Sequence, residues 1–142
     1  MIRITNIKNL KQDDSTESWA IVRSMKSPST WIKQVPELSP SKELFFKYLD
    51  LKKKGQWGQS AFDSIYVPQF LYEMRTQGYE MLNKVYMLDK DGTDISMACF
   101  CTSEFCHRYV VAGLLQGAGC NVVTDTGRDY SKYFEMYKQI SL

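Results

Sequence analysis

ISMACFCTSEFCHRYVVAGLLQGAGCNVV, residues 95–123, is the stretch whose reading decides the fold. Its opening, Ile95 to Cys101, is a near-continuous apolar run of strand length, the pattern of a strand covered on both faces. A polar turn follows, in which Ser103 offers an N-cap oxygen. Tyr109, Val110, Leu114 and Leu115 then recur at helical spacing as a core-facing stripe. Gly117 and Gly119 stop that helix, and Val122 and Val123 open another strand. Strand, helix, strand is the unit from which parallel sheets are built.

Upstream, Ile2 to Ile7 and Trp19 to Val22 read as two more strands, separated by the polar stretch KQDDSTES. The segment SMKSPSTWIKQVPEL, residues 24–38, carries two prolines and several turn formers, so it reads as irregular chain lying over the domain. Ser39 and Pro40 predict a helix start, with Leu44, Phe45, Tyr48 and Leu49 at helical spacing and Gly55 at the end. Phe62, Ile65, Tyr66, Phe70, Leu71 and Met74 form a second stripe, which Pro68 should kink or divide and Gly78 close. Met81, Leu82, Val85 and Tyr86 form a third, and Tyr130, Tyr133, Phe134, Tyr137 and Ile140 a last one. The expectation is one α/β domain over residues 1–142 with a mainly parallel sheet. In such sheets ligands gather at the carboxyl ends of the strands.

Composition narrows the function. Hydrophobic residues make up 44% and charged residues 24% of 142 positions, an ordinary globular balance. Eighteen basic against 16 acidic residues leave a net charge of +2, too little to draw the whole protein onto nucleic acid or an anionic membrane. No stretch approaches the roughly 18 apolar residues of a membrane span, and MIRITNIKNL lacks the apolar core of a signal peptide. A cytoplasmic protein is expected. Cys99 and Cys101 share a strand face and cannot readily bridge, so the four cysteines are expected as thiols.

Chemistry concentrates in CTSEFCHR, residues 101–108: two thiols, a carboxylate, the single histidine of the chain and an arginine at a strand-to-helix turn. The first turn of a helix leaves N–H groups unpaired and favours anions, a Cys106 thiolate included. Arg108 adds a two-pronged donor for phosphate or carboxylate. The bland reading makes Cys99 and Cys101 small core residues, pairs Arg108 with Glu104 at i, i+4, and leaves His107 in solvent. A phosphatase-type loop needs five residues between cysteine and arginine. Here Cys101 and Arg108 enclose six, and no glycine opens the loop. No Gly-rich phosphate fingerprint occurs. The thiol spacing is unlike paired CxxC knuckles, so neither a metal nor a cofactor is expected. Lys52, Lys53 and Lys54 beside Trp57 could touch single-stranded nucleic acid but read better as a helix end. Tyr66 and Tyr72 are candidate pocket walls.

CFCTSEFCHRYVVAGLLQGAG resembles the signature of the family catalogued as domain of unknown function 488: a strand ending in cysteine, an acidic loop, Cys-His-Arg and a helix. WAIVRSMKSPS resembles its other marked segment, a strand ending in arginine with Pro and Ser beyond it, here Arg23, Pro28 and Ser29. LSPSKELFFKYL and FDSIYVPQFLYEM are similar to its central helices. Val22 stands where that family often has aspartate, and Glu104 lies farther from the first cysteine than the family's loop acid. The resemblance implies a compact three-layer, Rossmann-like α/β fold with Arg23 near residues 106–108, and no established activity. The leading expectation is a pocket for a small phosphorylated, nucleotide-like ligand at the strand ends. Arg23 and Arg108 would clamp the anion, and Ser29, Tyr66 and Cys101 would contact it. Cys106, His107 and Glu104 are the candidate catalytic groups. The rivals are a thiol enzyme or redox sensor in which Cys106 reacts and Cys101 resolves, and a binding protein that captures a small nucleotide signal or blocks a partner.

Overall fold

The computed structural model of the chain describes residues 1–26 and 29–141; Pro28 of the marked segment lies outside them. Five strands are described: β1 (Ile2–Asn6), β2 (Glu17–Ala20), β3 (Ile32–Gln34), β4 (Ile95–Cys99) and β5 (Val122–Thr124). They form one sheet in the order β3-β2-β4-β1-β5, with every neighbouring pair parallel. All five residues of β4 are buried, as a strand covered on both faces requires. The fold is α/β, Rossmann-like and three-layered, and the sheet is wholly parallel.

The differences from the sequence reading are local. β4 ends at Cys99, two residues before its apolar run does, because Phe100 turns outward and is 55% exposed. β3 lies inside the stretch read as irregular. Three residues alternating between half-buried and exposed are too short to carry a period.

Helix α1 (Lys42–Lys53) starts after Ser41, whose Oγ accepts the Leu44 N–H at 3.1 Å. Ser39, the expected cap, instead donates its hydroxyl to the Pro36 carbonyl at 2.6 Å and closes a 3₁₀ turn, Pro36–Leu38. Ser41 does a second job. Its backbone N–H at 2.7 Å and its hydroxyl both donate to the buried carboxylate of Glu73, which fastens the start of α1 to the neighbouring helix. Gly55 ends the segment at φ +69°, a left-handed conformation that glycine adopts without strain.

Helices α2 (Gln59–Ala61), α3 (Val67–Glu73) and α4 (Tyr79–Lys90) are one continuous helical run, joined by π turns at Phe62–Tyr66 and Met74–Gly78. Pro68 therefore does not divide it: the proline follows the first wide turn directly, where the ordinary i→i−4 ladder is already interrupted. Gly78 does not close it either. A Cβ there would lie 2.8 Å from the Met74 sulfur and 3.1 Å from the Glu37 carbonyl, so the glycine lets the Pro36–Leu38 turn approach.

Helix α5 (His107–Gly117) is buried from His107 through Leu115, and α6 (Lys132–Lys138) packs across it. Gly113 makes that contact possible, since a Cβ at this position would sit 2.0 Å from the Tyr130 carbonyl oxygen. Backbone cannot move aside as a side chain can, so Gly113→Ala should cost about 3 kcal/mol, the upper end of overpacking penalties. A urea unfolding curve should show it as a lower midpoint at unchanged slope.

Candidate functional site

Parallel register brings four strand ends to one edge. Asn6 ends β1 opposite Cys99, which ends β4, while Ile21 follows β2 and Asp125 follows β5. The loop 100–106 and the start of α5 sit over this edge, where the fold collects ligands.

Arg108 is 3% exposed, and its guanidinium is turned inward. Nη1 donates to the Cys101 carbonyl at 2.6 Å and to the Cys99 sulfur at 3.3 Å; Nη2 donates to the Tyr109 hydroxyl at 2.7 Å and to Asp125 Oδ2 at 3.2 Å. Tyr109 in turn donates to Asp125 Oδ1 at 2.9 Å, and its ring lies 4.5 Å under the guanidinium carbon. Asn6 Nδ2 adds a second donor, at 2.8 Å, to the Cys101 carbonyl. Arg108 thus holds the loop. Glu104, its expected i, i+4 partner, is exposed, and the ion pair forms with Asp125 instead.

Cys106 is the N-cap residue of α5, and Ser103, the expected cap, closes a turn within the loop by accepting the Phe105 N–H at 3.0 Å. The buried Cys106 sulfur lies 3.1 Å from the Cys99 sulfur and 3.8 Å from His107 Nδ1. His107 Nε2 is 2.7 Å from the Ile21 carbonyl. A carbonyl only accepts, so Nε2 carries the hydrogen, and in the neutral ring Nδ1 is a bare acceptor facing Cys106. His107 is 9% exposed, with its ring edge-on to Phe70. It addresses a thiol rather than solvent.

Among the three thiols the charge settles away from Cys106. A hydrogen bond from Cys106 pulls Cys99 down to about 5 against the opposing effect of burial, with His107 and Arg108 assisting. Cys101 is also lowered, against burial, but Cys106 has a single S–H and its close contact is the one to Cys99. Burial first, and then its two thiol neighbours, pushes Cys106 well above the ordinary thiol range. The helix start does not reverse this, because the Cys106 side chain makes no capping hydrogen bond to the first turn.

A cleft of about 930 Å³ opens over these groups. Cys99, Cys101, Cys106 and His107 form its floor. Phe45, Tyr48 and Leu49 of α1 form one wall with Trp57 and Tyr66, and Phe100 and Phe105 face it; Arg23, Lys42 and Lys52 also line the space. No carboxylate lines it among the described residues. Of the residues singled out in the sequence, Arg23, Tyr66, Cys101, Cys106 and His107 are brought together. Arg108 lies behind the floor, while Glu104, Ser29 and Tyr72 do not line the cleft. Sequence reasoning passed over Asn6 and Asp125, whose one signal is position, each falling where a strand stops. It also passed over Lys42, and it took Lys52, which lines the cleft with Trp57, for a solvated helix end. Cys99, Cys106 and His107 each offer a metal-ligating atom, all within 4.8 Å of one another.

A family model described as DUF488-N3a, the active DUF488-N3 subclade, matches residues 2–119. No curated protein and no solved structure matches the chain.

Cys101 is the one half-buried thiol; Cys99, Cys106 and Cys120 are buried. Iodoacetamide should therefore label Cys101 first in the folded, reduced protein. Since a thiolate is the nucleophile, its rate should climb with pH and level off at a lower pH than an ordinary thiol's would. Peptide mass mapping of timed samples checks both the order and the profile.

Proposed function

The chain belongs to the active DUF488-N3 subclade, and from that premise we propose that its cleft receives a small phosphorylated, nucleotide-like molecule, with the ring against the aromatic wall and the phosphate at Arg23 and Lys42 beside the start of α1. One observation carries the reading: a single cleft combines aromatic walls with three cationic side chains and, among the described residues, no lining acid. No acid on the cleft lining competes for an anion, although Arg23 also borders a neighbouring cavity with Glu37 and Glu73, and charge-assisted hydrogen bonds to phosphate are among the strongest available. Aromatic faces suit a flat heterocycle. The volume falls within the roughly 300–1,000 Å³ of small-molecule sites.

In this reading Arg23 is the arginine that meets the ligand, and Arg108 sets the floor by holding the Cys101 peptide and the Cys99 sulfur. The description of the subclade as active favours turnover over capture. Cys101 is the group to carry it, being half-buried, shifted toward thiolate and on the cleft floor.

Calorimetric titration with a panel of ribonucleoside mono-, di- and triphosphates tests the binding step. Arg23→Ala and Lys42→Ala should each weaken the best binder by roughly tenfold, about 1.4 kcal/mol. Lys54→Ala, which removes a pair with Asp50 outside the cleft, should change nothing. Equal affinity in all three folded variants, or no binding by the parent, would remove the reading.

A further inference from the structure

We infer that Cys99, Cys106 and His107 form a zinc site, with the remaining coordination position open to the cleft. The thiol spacing by itself gave no such expectation, because two of the ligands meet only when the end of β4 is laid against the start of α5. In the fold, the two sulfurs and a ring nitrogen all lie within 4.8 Å of one another. Tetrahedral zinc with bonds near 2.3 Å to sulfur and 2.0–2.1 Å to nitrogen sets neighbouring ligand atoms about 3.6–3.8 Å apart. The Cys106 sulfur and His107 Nδ1 are already 3.8 Å apart, and the Cys99 and Cys106 sulfurs, at 3.1 Å, need to part by well under an ångström.

Two outer contacts match what a metal site requires. His107 donates Nε2–H to the Ile21 carbonyl at 2.7 Å, which fixes the ring and leaves Nδ1 as the free ligand; metal-bound histidines are commonly held this way. Arg108 Nη1 reaches the Cys99 sulfur at 3.3 Å, an N–H···S contact from outside the coordination shell. Charge also balances. Zinc takes up two thiolates and a neutral imidazole, any protons held by the thiols leave to solvent, and the buried centre carries no net charge. Two soft sulfurs with imidazole select zinc over magnesium or calcium. All three ligand residues line the cleft, so an ion there presents its open position to whatever occupies that space. Two cysteines, one histidine and an open position make a catalytic rather than a structural site. Cys101, also on the floor, stays outside the ligand set.

The metal titration needs no nucleotide, so the two readings can fail separately. The full reduced chain, stripped with a chelator, would be titrated with Co²⁺ and then Zn²⁺. One equivalent of Co²⁺ should give thiolate-to-cobalt charge-transfer absorption of an intensity fitting two sulfurs, with tetrahedral visible bands, and one Zn²⁺ should displace it. Cys99→Ser and Cys106→Ser should each weaken zinc binding by more than the roughly 10–100-fold that outer-contact changes cost. Cys120→Ser and Cys101→Ser should retain it, and circular dichroism checks folding. No charge-transfer band in the unaltered chain overturns the site whatever the variants do. Undiminished zinc binding by folded Cys99→Ser or Cys106→Ser overturns it too, and loss of zinc in Cys101→Ser overturns the open position. Repeating the nucleotide titration on the stripped protein shows whether that reading stands alone.

Discussion

A guanidinium that is 3% exposed governs this structure. Arg108 cannot shed its proton, so the chain around it must supply acceptors or leave a buried charge unpaired at a cost of several kcal/mol. The acceptors come from places far apart in sequence: the end of β4, the loop beyond it, the ring of Tyr109 and the acid after β5. Satisfying one side chain therefore fixes the path of residues 99–101, the position of Asp125 and the first turn of α5. Asn6 completes the arrangement from β1 by sharing the Cys101 carbonyl. These directional bonds hold the floor of the cleft, while the buried Arg108 Nε has no partner among the described residues.

That inward turn also explains how far the sequence could be read. The β4, α5, β5 unit was legible because an unbroken apolar run and a helical stripe admit few alternatives, and its boundaries moved by only a few residues. The short β3 and the two π turns were not, since three residues carry no period and a widened turn leaves the helical pattern nearly intact. In the site, Arg23, Tyr66, Cys101, Cys106 and His107 were legible as residue types gathered at strand ends. The direction of Arg108 was not: Glu104 stood at a suitable spacing, and nothing local told that acid from Asp125, 17 residues away. The state of Cys106 was hidden for a similar reason. A helix start favours thiolate, but burial and the neighbouring thiols outweigh it, and both come from tertiary packing.

The cleft divides its labour by depth. Its floor is made from polarizable and titratable atoms locked by strand ends, and its sides from rings that impose shape with little direction. The cations stand above, each on a flexible stem.

The fastening of Ser41 to Glu73 bears on how that outer wall behaves. α1 is tied at its N-cap by two hydrogen bonds to a buried carboxylate, while its far end is held by packing, with Leu51 buried and Tyr48 against Trp57 at 4.7 Å. Bonds with direction resist sliding, and ring edges slide readily. The wall is thus held by directed bonds at its start and by side-chain packing toward Lys52.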